Sequence, residues 1–415
     1  MLLAFKNLLP RYFSFGNRRI FILGLMVLFW GMYDNIVQYL TPILIMRQGY
    51  SITVIGLIIG SSSIAGALFD FFICRVFKNT DFRRIFLAMF AVCLFYPLLL
   101  WQANSIWLWL LAMAVWGLYY DLLGFGVFDY VGRHTLAEQH SSSFGVVQIF
   151  KSIAGVVAPI IIGLLIAENF NWQPFALMWI FLFAGFIFFI QLFFAHRKKQ
   201  DIVEIKDEPK RNIWVELKIW KKLWVKLLPV LSFTLFIFVI DAFFWTLAPL
   251  YGQRTEFYGF GGLFLAAYIL PFLIIGWFVG PINKKFGKKR TAFVSMLIWS
   301  ILMSVFFIVA DPWWQLILVF VSALFISLSL PSINGAYADY ISEAPIVEGQ
   351  IQGLEDFAFN IGYVIGPILA GILADIFNIS VAFSILGLCG LLLAVILLKV
   401  TPTSIVVKVK RSDWS

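Results

Sequence analysis

The chain has 415 residues; 62% are hydrophobic, 18% aromatic and only 13% charged, and the formal net charge is +9. A typical soluble domain is about 45–50% apolar and about 25% charged, so a soluble enzyme, a secreted module and a disordered chain are excluded. Apolar stretches recur from residue 20 to residue 399, which excludes a single-span receptor as well.

A helix needs about 20 mostly apolar residues to cross a bilayer. Broken at its polar, Pro, Gly and Asn punctuation, the sequence predicts spans at 20–45, 52–77, 84–102, 106–131, 141–166 and 174–195. After a polar stretch come 227–252, 258–282, 290–310, 314–340, 350–374 and 380–399. The expected architecture is an all-α membrane protein: a six-helix bundle over 1–195, a linker over 196–226, a second bundle over 227–400 and a tail over 401–415. The basic residues stand in clusters between the spans, at Arg18 and Arg19, Arg83 and Arg84, Arg197 to Lys199, Lys284 to Arg290 and Lys408 to Arg411. Alternating the loops puts these clusters and both termini on one side, the cytoplasm by the positive-inside rule, and leaves only Arg47 and Arg254 outside. No basic face remains for nucleic acid. In the linker, Ile213 to Lys226 interleaves Trp and Leu with Lys, which suits either a helix lying on the membrane surface or a solvated tether. The first apolar run has spanning length and no small-residue cleavage site, so no cleaved signal peptide is expected. Cys74, Cys93 and Cys389 read as packing residues.

The two halves repeat. Asp34, Pro42 and Arg47 recur as Asp241, Pro249 and Arg254, each 207 residues on; Pro159 and Gly163 recur as Pro367 and Gly371, 208 on; Asp129-Tyr130 recurs as Asp339-Tyr340, 210 on. Six spans per half give both repeats the same orientation, an arrangement in which two bundles rock about a midplane site.

With these motifs the sequence resembles the major facilitator superfamily over nearly its whole length. The loop after span 8 runs from Gly276 through Gly280-Pro-Ile-Asn-Lys-Lys-Phe-Gly287 to Arg290, similar to that family's glycine-and-basic loop. Its first-half counterpart keeps Gly66 and Asp70 but spreads the basic end to Arg83 and Arg84. Pro159, Gly163, Gly366, Pro367 and Gly371 look like the family's Gly-Pro hinge, where small residues allow close helix approach. The resemblance implies twelve transmembrane helices in two parallel six-helix repeats, a multi-pass protein of a bacterial plasma membrane, and a small-molecule substrate. One departure matters: drug/proton antiporters of the family carry Arg in span 4, in an Arg-x-x-x-Gly pattern, and here Asp121 stands in that stretch.

Charges inside a bilayer are costly and point to function. Asp34 and Asp241 lie mid-span, Asp121 sits in span 4, and Lys151 lies about ten residues, or roughly 15 Å, into span 5. Glu355 and Asp356 fall in the first turns of span 11. Two readings stay open for the Asp34–Asp121–Lys151 trio, a permanent ion-paired network or a proton-carrying site in which Asp34 leads, followed by Asp241 and Asp121. Trp30, Tyr33, Asn35, Gln38, Tyr119, Tyr120, Gln148, Trp245 and Asn360 are the expected cavity-lining residues; Trp30, Tyr33, Asp34 and Gln38 share one helical face by spacing. That face suits an organic cation through cation–π attraction, and equally a sugar or nucleoside. Asp70, Asp129 and Asp339 are expected to latch the bundles by pairing with basic loops, Asp129 with Arg83 or Arg84 and Asp339 with Arg290.

No His cluster, Ser/His/Asp arrangement, metal-ligand spacing or Walker-type loop is visible, so neither enzyme activity, cofactor nor ATP drive is expected. The leading expectation is a monomeric secondary transporter working by alternating access, coupled to protons, exporting an amphipathic or cationic compound. The alternatives are a sodium- or proton-driven symporter of a sugar, nucleoside or other polar metabolite and, from another class, a lipid translocase, a membrane-embedded enzyme or a non-transporting sensor.

Overall fold

A computed structural model describes residues 18–76, 81–135, 139–168, 171–194, 213–253, 257, 259–276, 278–344 and 347–402. Arg254 and most of the linker and tail lie outside the described residues, as do the side chains of Asp70 and Cys74.

The first half contributes α1 (Arg18–Arg47), α2 (Ile52–Val76), α3 (Phe82–Gln102), α4 (Ile106–His134), α5 (His140–Glu168) and α6 (Gln173–Phe193). The second contributes α7 (Ile213–Tyr251), α8 (Gly262–Ile275), α9 (Val279–Phe286), α10 (Lys288–Ser304), α11 (Pro312–Glu343), α12 (Glu348–Ile376) and α13 (Ile379–Val400). Among the described residues eleven helices are long and apolar enough to cross a membrane, and the number is twelve if α8 and α9, a pair bent by 70°, count as one broken span. The helices begin where the punctuation stands. Ser105 accepts from Leu108 N–H, Asp311 accepts from Trp313 and Trp314 N–H ahead of Pro312, and Asn378 accepts from Val381 N–H. Each cap satisfies amide donors that a helix start leaves open, and in lipid an open donor is costly.

The described residues form two compact units. Residues 18–41 and 65–194 make one, while 42–64 and 213–402 make the other. The outer end of α1 and the start of α2 therefore cluster with the second half. In the first unit α3 packs on α4 and α6; in the second, α12 packs on α7, and α10 on α11 and α13.

Glycine sets the closest crossings of the second unit. A Cβ on Gly362 would meet Phe238 Cβ at 2.7 Å, and one on Gly366 would meet Ala242 Cβ at 2.7 Å, so α7 and α12 touch backbone to backbone. A Cβ on Gly371 would strike the Ile52 carbonyl, and one on Gly56 the Pro367 carbonyl. The Gly-Pro motif of span 11 thus acts through close approach, on α7 and on the start of α2. Asp375, just beyond it, accepts from Ile52 N–H (3.0 Å), Thr53 N–H (2.7 Å) and the Thr53 hydroxyl (2.6 Å), capping α2 from another helix.

One expectation is corrected here. Residues 213–226 form neither a separate surface helix nor a loose tether but the first turns of the 39-residue α7. Trp220 and Trp224 pack edge-on against Phe357 of α12, and Gly353 leaves room for Trp220.

Overpacking a filled crossing costs about 1–3 kcal/mol. Gly366→Leu is expected to lower the thermal unfolding midpoint of the detergent-solubilised protein. Gly280→Ala, whose added carbon would meet nothing within 4 Å, should leave it unchanged.

Candidate functional site

In α1, Asp34 is followed four residues on by Gln38 and eight on by Pro42. Proline has no N–H, so the Gln38 carbonyl loses its helical donor. Asp34 is 1% exposed. Its Oδ2 accepts from Gln38 Nε2 at 2.7 Å; its Oδ1 accepts from Trp116 Nε1 at 2.9 Å and from the Tyr119 hydroxyl at 3.0 Å, both on α4. Three neutral donors converge on one carboxylate.

Aromatic rings close the site. Trp30 meets Tyr119 and Tyr120, each at 6.0 Å between centroids, and Tyr119 also meets Tyr33 at 5.9 Å and Tyr96 at 5.2 Å. Lys151 of α5 places Nζ 4.4 Å from the Tyr120 ring centroid and donates to the Tyr120 hydroxyl. Asp121, half-buried, has its carboxylate 3.0 Å from where a Cβ on Gly66 would sit, so the glycine of α2 makes room for it.

The second unit holds its own carboxylate differently. Asp241, half-buried in α7, accepts from the Tyr268 hydroxyl of α8 at 3.0 Å and from the Tyr363 hydroxyl of α12. Tyr268 is itself stacked on Phe244 at 4.0 Å, with the rings 5° from parallel. The residue equivalent to Gln38 is Trp245, which is half-buried and offers no amide. The repeat thus keeps the acid and the proline but changes the donors.

Other expected cavity residues turn elsewhere. Tyr33 donates to the Cys93 carbonyl (2.9 Å) and Asn35 to the Gly31 carbonyl (2.6 Å), both buried contacts that support packing. Gln148 is exposed and reaches Ser152 on its own helix at 3.5 Å, and Asn360 donates to the Asp356 carbonyl at 3.0 Å. Glu355 is half-buried and Asp356 exposed on α12. Three donors escaped the sequence reading: Trp116, Tyr268 and Tyr363. Trp116 had a signal, since its i, i+3 spacing to Tyr119 puts two polar-tipped rings on one face.

The expected latches have other partners. Asp129 pairs with Arg133 one turn along α4 (2.5 Å), and its second oxygen accepts from Phe82 N–H (2.8 Å), capping α3. Arg83 lies 3.6 Å from Asp81 and rests on the rings of Phe82 and Phe193. Asp339 pairs with Lys288 (2.5 Å) in place of Arg290. Each acid meets the first residue of a neighbouring helix, Asp129 through the main-chain N–H of Phe82 and Asp339 through the side chain of Lys288. Both contacts tie helices within one unit.

Eleven or twelve apolar spans, a duplicated acid-and-proline pattern and a hydrogen-bonded mid-helix carboxylate in each half point to a multi-pass membrane transport protein. The family model of the Major Facilitator Superfamily matches residues 20–280 and 258–414. The chain belongs to the Major Facilitator Superfamily. Its fold is similar to that of the nucleoside transporter NupG, with a TM-score of 0.70, 10% identity, and 92% of this chain and 99% of that one covered. It is similar also to a POT family transporter in complex with a thioalcohol conjugated peptide (TM-score 0.73, 14% identity, 95% and 98% covered). A bacterial homologue of the human lysosomal transporter Spinster gives a TM-score of 0.63 at 13% identity, with 92% and 94% covered. No curated protein sequence matches the chain.

Removing one donor from a buried acceptor costs about 1–3 kcal/mol. Trp116→Phe is expected to lower the thermal unfolding midpoint more than Tyr268→Phe, because Asp34 is sealed from water and Asp241 is only half-buried. Equal shifts in the two variants would contradict that ordering.

Proposed function

We propose that this protein is a secondary active transporter that moves a small organic solute by alternating access, coupled to protons through Asp34, with Asp241 and Asp121 as supporting acidic positions. The observation that carries the reading is the buried Asp34 carboxylate with its three neutral donors. An ionised carboxylate is acceptor-only, and the trio supplies its hydrogen bonds without a direct ion pair, Lys151 acting on it only electrostatically. A protonated one carries an O–H, which must donate. Trp116 Nε1–H is donor-only, so a proton on Oδ1 weakens the bond from that indole and must itself be donated to the Tyr119 hydroxyl, which can accept. Proton uptake at Asp34 therefore alters the contact between α1 and α4. A ligand shifts a two-state equilibrium through such differential contacts.

On the substrate, the site argues against an organic cation at Tyr120, because the ammonium of Lys151 already occupies that ring face. A neutral or polar solute meets no such conflict, which supports the symport reading beside export. The fold likeness to transporters of nucleosides and peptides is compatible with that choice. The positive-inside rule supports a cytoplasmic position for both termini, and the reading takes the protein as a monomer in a bacterial plasma membrane.

The test uses proteoliposomes with an internal pH-sensitive dye, challenged with a panel of nucleosides, sugars, dipeptides and quaternary amines. One solute class is expected to drive proton movement across the membrane. Asp34→Asn should cut pH-gradient-driven flux at least about tenfold, the scale of a general acid–base contribution. Unchanged flux in that variant removes Asp34 from the mechanism, and equal flux under a sodium gradient alone overturns proton coupling.

A further inference from the structure

In the second unit a cavity of about 760 Å³ opens where α10 begins and α13 ends, lined by Lys288, Lys289, Arg290, Tyr340, Glu343 and Thr401 among others. Both helix ends terminate bilayer spans, so the cavity lies at headgroup depth. This is the face to which the basic loops point as cytoplasmic. Five basic residues, Lys284, Lys285, Lys288, Lys289 and Arg290, stand in or just before the lining segment against two acids, Asp339 and Glu343. The inner wall is apolar, formed by Phe293 and Leu397.

Comparison of the two repeats shows what this cavity lacks. In the first unit Asp129 places a carboxylate oxygen on the first amide of α3. In the second, its counterpart Asp339 spends its oxygen on the ammonium of Lys288. Gly287, at the start of α10, has no side chain to serve instead. Among the described residues, no carboxylate caps the first turn of α10. A second and independent sign lies alongside: Tyr340 is 4% exposed and its hydroxyl has no hydrogen-bond partner among the described residues, and the same holds for the Thr401 hydroxyl. Uncapped amides, clustered bases and two unpartnered hydroxyls all call for an anion with several acceptor oxygens.

We propose that this cavity binds the phosphate headgroup of an anionic phospholipid, its acyl chains running along the apolar flank of α13. Phosphate oxygens would take the place that Asp129 fills in the first repeat, with Lys289, Arg290 and Tyr340 as donors. Basic pockets between spans on the cytoplasmic side bind such headgroups, and the apolar wall distinguishes a lipid from a free phosphate.

The experiment titrates the purified full chain in detergent with dioleoyl phosphatidylglycerol or dioleoyl phosphatidylcholine, read by native mass spectrometry and thermal unfolding. Phosphatidylglycerol is expected to bind about tenfold tighter than phosphatidylcholine and to raise the unfolding midpoint. The double variant Lys289→Gln/Arg290→Gln, and separately the conservative Tyr340→Phe, should each weaken phosphatidylglycerol binding by about fivefold or more, while phosphatidylcholine binding and an Arg18→Gln control stay unchanged. Equal binding of the two lipids, or full phosphatidylglycerol affinity in both cavity variants, overturns the proposal. Inorganic phosphate or glycerol 3-phosphate matching the lipid's effect would also overturn it, by assigning the cavity to a soluble anion.

Discussion

A carboxylate sealed inside a membrane protein must find its solvation in the side chains around it, and Asp34 finds it in an amide of its own helix and an indole and a phenol of α4. Everything else in the first unit is arranged around that requirement. α4 is positioned so that Trp116 and Tyr119 reach the same oxygen. The rings of Trp30, Tyr33 and Tyr96 hold Tyr119 in place. Gly31, meeting Ala154 at 2.9 Å from an added Cβ, lets α5 close on α1 and bring Lys151 to Tyr120. The direct contacts to the carboxylate are neutral donors, with Lys151 acting on it electrostatically from α5.

The second unit answers the same requirement with other residues. Two phenols, from α8 and α12, replace the indole, phenol and amide. The acid is also wetter. A duplicated backbone with unequal donors leaves the two carboxylates in different surroundings, one sealed from water and one partly open to it.

Much of this was legible in the sequence and some was not. The spans, the two repeats, the aspartates and the prolines follow from hydropathy and spacing, because each is a property of one helix. Trp116, Tyr268 and Tyr363 reach their acids from other helices, and no periodicity within α1 or α7 encodes which neighbour will face it. The same limit explains Tyr33 and Asn35: spacing placed Tyr33 on the face of Asp34, but its hydroxyl found a carbonyl on α3, and Asn35 bonded back to its own helix. The acids at the ends of α4 and α11 are expected from the sequence to latch the bundles through Arg83, Arg84 and Arg290, whereas their partners depend on how closely a neighbouring helix starts. Residues 213–226 read as surface-seeking by composition, and became part of α7 because Phe357 and Gly353 offer their tryptophans a packed seat.

The anchoring acids leave different room for evolutionary drift. Asp129 grips the main chain at position 82, and a peptide N–H survives every replacement there except proline. Asp339 grips the amine of Lys288, which vanishes with the side chain. The grip of Asp129 therefore survives a change of side chain at position 82, where only the burial of the Phe82 ring restricts the choice, whereas position 288 is bound to a long basic residue or must find another fastening.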